Sequence, residues 1–203
     1  MKPVSGTEGY AEEADRLITP YESLAFADVH EPVLHLIPQM PSCILDIGSG
    51  TGRDAGAFAT MGHRVVAVEP TEAFRIRAPG LHPSERIAWL DDSLPDLHLL
   101  RARGETFDLA MLTGVWMHLD SEQRVRGMPI LAGLVRQGGI VLMTLRHGPV
   151  PPGRRMFEVS ADETVELALA HGLRCELNLR APSIQPGNRL AGVTWTRLAF
   201  RKC

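Results

Sequence analysis

The chain has 203 residues, 44% of them hydrophobic, which suits one α/β domain with a sizeable core. Its net charge is −3, both signs are spread along it and no Lys/Arg block stands out, so nothing makes an electrostatic case for nucleic acid. Three scattered cysteines, Cys43, Cys175 and Cys203, form neither a disulfide framework nor a C-x-x-C metal pair, and neither a signal peptide nor a membrane-length apolar run is visible, so a cytoplasmic, metal-free protein is expected.

Residues 1–9 read as a tail. A polar helix is expected over 10–18 and a second over 21–37, with Leu24, Val29, Val33, Leu34 and Ile37 as its apolar stripe. Pro32 divides or kinks it, and Pro38 and Pro41 end it. Residues 1–40 are therefore expected to be a tail with cap helices, and 41–203 the main domain of a single structural unit. A first strand over 43–47 contains Asp46 and runs into Gly48-Ser49-Gly50-Thr51-Gly52. Glycines alternating with small polar residues make a tight turn, because backbone without Cβ adopts positive φ and comes close to a ligand. The helix that follows, over 54–61, offers free N–H groups at its start.

Strand 2 is expected over 64–68, ending in Glu69 and stopped by Pro70, with a short helix over 71–77. Strand 3 over 86–90 leads into Asp91-Asp92-Ser93-Leu94-Pro95. An amphipathic segment over 97–103 precedes strand 4 at 107–112, followed by Thr113-Gly114-Val115-Trp116-Met117-His118. A helix over 121–136 is expected to be interrupted near Pro129 and ended by Gly138-Gly139. Strand 5 over 140–145 is almost wholly apolar and so buried on both faces. The Pro/Gly/Arg-rich loop to Arg155 lies past a strand end, where open α/β sheets bind ligands. Ser160 and Glu163 form a capping box for a helix stopped by Gly172. Strand 6 over 173–179, a loop over 180–192 and an alternating strand 7 over 193–201 close the chain.

A dinucleotide turn wants G-x-G-x-x-G. The pattern here is Gly48-x-Gly50-x-Gly52 after Asp46, and it resembles motif I of class I S-adenosylmethionine (SAM)-dependent methyltransferases. Val65-Val66-Ala67-Val68-Glu69-Pro70 resembles the family's motif II, and Phe107-Asp108-Leu109 opens strand 4 as in the family. The resemblance runs from about residue 40 to the end. It implies a Rossmann-like, doubly wound α/β fold. Its seven-stranded sheet would be mostly parallel with an antiparallel last strand, helices on both faces and N-terminal cap helices. It also implies SAM as cofactor and S-adenosylhomocysteine (SAH) as product. Gly48, Ser49, Gly50, Gly52 and Arg53 would border the cofactor, with Asp46 at its amino-acid end. Glu69, beside Pro70, would take both ribose hydroxyls. Asp91 or Asp92 would reach the adenine amino group, the backbone N–H of the next residue (Asp92 or Ser93) a ring nitrogen, and Leu94 the adenine face. Thr113, Gly114 and Val115 would approach by backbone, and Trp116 would stack nearby.

Methyl transfer from a sulfonium is an in-line displacement, so the protein chiefly positions its reactants. His118 and His147, both near strand tips, are the candidate bases; each has a structural alternative, as a helix cap or a loop hydrogen bond. Arg146, Arg154, Arg155, Arg180 and Arg189 crowd the expected acceptor side, and guanidinium suits a carboxylate or phosphate. A small polar or anionic acceptor follows, held by Arg146, Arg189 and Tyr21; Tyr21 and Phe26 are lid or pocket residues, or else packing. No Asn/Asp-Pro-Pro-Tyr/Phe tetrapeptide and no Pro-Cys pair occurs, which argues against DNA methylation. A protein- or RNA-directed methyltransferase and a non-catalytic SAM-binding module stay open beside the small-molecule enzyme, as monomer or homodimer.

Overall fold

Short apolar runs bounded by Gly, Pro or charged residues become the central strands. The computed structural model describes residues 4–203. Its strands are β1 (Cys43–Ile47), β2 (Arg64–Val68), β3 (Ile87–Leu90), β4 (Phe107–Leu112), β5 (Val135–His147), β6 (Leu173–Pro182) and β7 (Thr194–Lys202). They form one sheet in the order β3-β2-β1-β4-β5-β7-β6. β1 to β5 are mutually parallel, and β7 lies antiparallel between β5 and β6. This is the doubly wound topology, with the strand order reversing between β1 and β4.

Alternation along the strands sorts the core into two layers. Leu45, Val66, Ala110 and Met143 face α7 (Ser121–Leu134), with its buried Met128 and Leu131. Ile44, Val65, Leu109 and Leu142 face α3 (Arg53–Thr60) and the N-terminal segment, through Phe58, Phe26 and Val33. Asp46 has the parity of Ile44, so it points to the α3 side at the strand's carboxyl end.

The N-terminal helices differ from the expectation. α1 is Ala14–Glu22, so residues 10–13 form turns instead of the first helical turn. The second helix begins at Phe26, Tyr21 and Glu22 belonging to α1, and it divides beside Pro32, as the sequence predicts, into α2 (Phe26–His30) and a 3-10 segment, Glu31–Leu36. Pro32 sits at the start of that segment, and a residue without N–H cannot continue the α ladder. α4 (Glu72–Arg75), α5 (Ala78–Leu81) and α6 (His98–Ala102) are single turns.

α7 runs through Pro129, held by an Asp120–Gln123 capping box and by burial of Met128 and Leu131 on either side. The Gly138-Gly139 pair falls inside β5, where the β4–β5 register slips between Phe107 and Leu109. A Cβ at Gly139 would meet the Asp108 carbonyl at 2.9 Å, so this irregular register requires glycine. Beyond β5 come α8 (Ala161–Leu169), where the Ser160 side chain caps the Glu163 N–H, and α9 (Pro186–Leu190), in what reads as plain loop in the sequence. No helix among the described residues is long and apolar enough to cross a membrane.

Candidate active site

The carboxyl ends of β1, β2, β4 and β5 floor a cavity of about 500 Å³, within the usual ligand-pocket range of roughly 300–1,000 Å³. The glycine turn is pinned to β2: the Gly48 and Ser49 N–H groups both donate to the Val68 carbonyl, at 2.8 and 3.0 Å. Gly48 has φ +68°, and a Cβ there would meet Val115 Cγ2 at 2.5 Å. Gly50, at φ +56°, would meet nothing within 4 Å, so open space lies over its backbone. Gly52 does a different job: a Cβ there would strike the Trp89 ring at 2.5 Å, and the residue lies outside the cavity lining.

Glu69 reaches across from the end of β2. Its Oε2 accepts the Gly50 N–H and its Oε1 the Thr71 N–H, both at 2.7 Å. It is buried, which raises its carboxyl above the usual range against these hydrogen bonds. Asp46 is also buried and lines the cavity, yet its Oδ2 has no partner, and neither does the Ser49 hydroxyl. Burial, then repulsion from Asp54, pushes the Asp46 carboxyl well up.

Asp54 is already satisfied: His30 Nε2 at 2.9 Å and the Thr113 hydroxyl at 2.8 Å bond its Oδ2, and Arg53 bonds its Oδ1. Burial alone would raise Asp54, but His30, then Arg53 and Thr113, outweigh it and hold the carboxyl well below the usual range. Arg53 lines the cavity with its guanidinium on Asp54.

Past β3, Asp92, Ser93 and Leu94 line the cavity together with Pro70. Asp92 accepts N–H groups from Ser93 and Leu100. Asp91 does not line it; its carboxylate pairs with Arg75 at 2.8 Å on the exposed side. After β4, Thr113, Gly114 and Val115 line the cavity, and the Gly114 N–H donates to Thr144 Oγ1 at 2.8 Å. Trp116 departs from the expectation: it is wholly buried in the α7-side core, because the 3-10 turn Trp116–His118 rotates it inward.

The opposite wall is built from distant parts of the chain. His118 lines the cavity; its Nδ1 bonds the Arg155 carbonyl at 2.7 Å and its Nε2 the Tyr10 hydroxyl at 3.1 Å. A carbonyl only accepts, so Nδ1 carries the hydrogen and Nε2 accepts from the phenol. Burial lowers the His118 pKa, and burial likewise raises that of Tyr10. The Arg154 guanidinium stacks 4.1 Å from the Tyr10 ring centroid and pairs with Glu13. Arg155 bonds Ser5 and Asp120. Tyr21 and Arg146 line the cavity.

Three more side chains singled out in the sequence lie outside the lining, Phe26 in the packing role left open for it. His147 lies outside the lining with its Nε2 on the Thr196 hydroxyl at 2.8 Å. Arg189, also outside it, donates Nε–H to the Ser183 carbonyl and holds the loop around α9. Phe26 packs edge-on against Phe58 in the core, ring centroids 5.1 Å apart.

Tyr10, Asp54 and Arg197 also line the cavity, and sequence reasoning passed over all three. Tyr10 belongs to no motif. Asp54 read as an ordinary first-turn residue of the helix after the glycines. Arg197 left one faint signal, a charge at the strand parity shared by Trp195 and the wholly buried Ala199.

Residues 44–139 match the model of a family described as Methyltransferase domain. Among solved structures, the chain is similar to Burkholderia thailandensis 1,6-didemethyltoxoflavin-N1-methyltransferase, bound to 1,6-didemethyltoxoflavin and SAH, with TM-score 0.73 and 22% identity over 95% of this chain and 85% of that one. It is similar to a TehB-like SAM-dependent methyltransferase from Corynebacterium glutamicum, with TM-score 0.71 and 20% identity over 95% and 99%. It is also similar to the N-methyltransferase NodS from Bradyrhizobium japonicum in complex with SAH, with TM-score 0.69 and 14% identity over 94% and 98%. No curated protein matches it. The structural likenesses establish the fold as the seven-stranded Rossmann-like one. The family match itself covers just under half of the chain, from β1 into β5.

Proposed function

We propose that this chain transfers the methyl group of SAM to an O, N or S atom of a small, polar or anionic molecule, releasing SAH. One observation carries the reading: Asp46, buried at the end of β1 and lining the cavity, keeps an Oδ2 without a partner. A cation is the natural complement of a buried, uncompensated carboxylate, and the amino-acid part of SAM bears an ammonium group.

The remaining residues fit the same ligand. Glu69 retains a free lone pair on each oxygen for the ribose hydroxyls, beyond its bonds to Gly50 and Thr71. The open space over Gly50 admits a ligand against the backbone. Asp92, Ser93, Leu94 and Pro70 suit the adenine, and Thr113, Gly114 and Val115 the methionine part.

SAM supplies a methyl carbon made electrophilic by its sulfonium: an acceptor lone pair bonds to that carbon while the C–S bond breaks and its electron pair stays on sulfur. The chain supplies orientation, which alone can remove several kcal/mol of barrier. For an acceptor that keeps its proton until the reaction, His118 is the base, taking the proton through the Tyr10 hydroxyl that donates to its Nε2.

Calorimetry with SAH on wild type and Asp46→Asn tests the binding step, and transfer of labelled methyl from SAM to the small-molecule fraction of a cell extract tests the chemistry. Saturable wild-type binding, weakened at least about tenfold by Asp46→Asn, is expected. Absence of wild-type binding overturns the reading. Binding with no labelled product instead favours a non-catalytic SAM-binding module.

A further inference from the structure

Charge around the cavity is divided unevenly. The carboxylates Asp46, Glu69 and Asp92 line the end beneath β1 to β3; Asp54 lines the cavity as well, but His30 and Arg53 pair it. At the other end are Arg197, on β7, and Arg146, at the tip of β5. Glu13 lines the wall as well, but it is paired with Arg154.

Arg197 is the unusual member. It is 7% exposed, and its one hydrogen bond runs from Nη2 to the Val29 carbonyl at 3.2 Å. Its Nε and Nη1 have no partner, and among the described residues no carboxylate lies within 4.0 Å of it. A buried, unpaired guanidinium is costly, and proteins keep one where something else completes it.

The sheet register says where that completing group would lie. Arg197 stands directly opposite Thr144, and Arg146 opposite Trp195, so the four side chains share one face and the two arginines are diagonal neighbours. Thr144 Oγ1 holds the Gly114 N–H, in the turn where β4 meets the cavity. The arginine pair is therefore next to the turn assigned above to the methionine part of the cofactor. Leu24, Val29, Ile184 and Trp195 supply apolar walls around it.

We infer that Arg197, assisted by Arg146, is the anchor for a carboxylate on the methyl acceptor, whose body is small and largely apolar. This rests on the methyltransferase reading and narrows its acceptor class. Two guanidinium groups with no carboxylate within 4.0 Å among the described residues, Glu31 acting on Arg197 only from farther away and Arg146 bonded only to the Pro149 carbonyl, match a carboxylate in charge and hydrogen-bond donors. The cavity would then pair a cationic cofactor with its acidic end and an anionic acceptor with its basic end. Asn188 and Gln185, from the loop at α9, line the same end and offer amide donors and acceptors to the rest of the molecule.

Thermal unfolding of the SAH-saturated protein tests this with benzoate, phenylacetate and hexanoate against their primary amides, which keep the shape and lose the charge. The acids are expected to raise the Tm of wild type in a saturable way, and the amides to leave it unchanged. Arg197→Met should abolish the response, Arg197→Lys keep part of it, and Arg146→Gln weaken the acid affinity about tenfold. SAH calorimetry on Arg197→Met reports whether the fold and the cofactor end survive the substitution. Acids and amides behaving alike in wild type, both silent included, overturn the inference even if Arg197→Met fails to fold. So does an undiminished acid response in a folded Arg197→Met. Wild type that does not bind SAH at all brings down the methyltransferase reading instead, and this inference with it.

Discussion

Under β1 and β2 the cavity is made of backbone: two N–H groups on the Val68 carbonyl, and the Gly50 and Thr71 N–H groups on one Glu69 carboxylate. Under β5 and β7 it is made of side chains that meet across the chain. Tyr10 and His118 are 108 positions apart, Glu13 and Arg154 141, and Val29 and Arg197 168. The first end follows from a short stretch of sequence with turn geometry built in. The second exists only once the whole sheet has assembled, and each of its contacts depends on two particular side chains. Substitutions should therefore act differently at the two ends, through backbone strain and ligand contact at one and through pairwise contacts at the other.

The sharpest break is at Glu69. Glu69→Ala removes the acceptor of two N–H groups and the proposed ribose partner, and SAH affinity should fall by about 1.5–3 kcal/mol, roughly 10- to 150-fold by calorimetry. A change below about twofold would separate Glu69 from the ligand. Gly48→Ala and Gly50→Ala come next. Both force alanine into positive φ, a strain of roughly 1–2 kcal/mol, but only Gly48→Ala also drives a methyl into Val115. Gly48→Ala should lower the Tm more, whereas Gly50→Ala should lose more SAH affinity than stability, because its methyl would stand in the open space above the turn.

At the other end, Tyr10→Phe removes one hydrogen bond to His118 and should cost about 1 kcal/mol of stability in chemical denaturation, with SAH affinity nearly unchanged. His118 adds a pH signature. Burial holds its folded pKa below the ordinary histidine value, so between the two values the unfolded chain binds more protons than the folded one. Its contribution to stability is present above the ordinary value and is lost as pH falls through that window. His118→Gln should flatten that part of a Tm-against-pH curve, while other depressed histidines, His63 and His147, keep the rest of the slope.

The smallest effect is expected at Asp91. Its half-exposed pair with Arg75 is worth less than about 1 kcal/mol, so Asp91→Asn should leave SAH affinity unchanged. Asp92→Asn, by contrast, alters a cavity carboxylate that also accepts the Leu100 N–H at the start of α6, and should lower both affinity and Tm.

β1, β2 and β4 were legible to the residue, because each is an apolar run closed by a charge, a glycine or a proline. The glycine turn and Glu69 were legible for the same local reason. The helices were less so. Pro20 lies inside α1 and Pro129 inside α7; at Pro129 the burial of Met128 and Leu131 on either side outweighs the lost hydrogen bond. Trp116 and Arg189 show where reading residues by type fails: one was assigned to the cofactor and belongs to the core, the other to the acceptor and ties down a loop. Arg197 escaped because what marks it is an Nε and an Nη1 without partners, and that is invisible until β5 and β7 are paired.

The register that sets Thr144 against Arg197, with Thr144 holding the Gly114 N–H, has a wider bearing. Donor and acceptor would hang from neighbouring rungs of one hydrogen-bonded ladder, so their mutual alignment inherits the stiffness of that ladder and not of the surrounding connections. The segments 151–157 and 183–190 would then be free to diverge, reshaping which molecules are admitted without disturbing the line of attack.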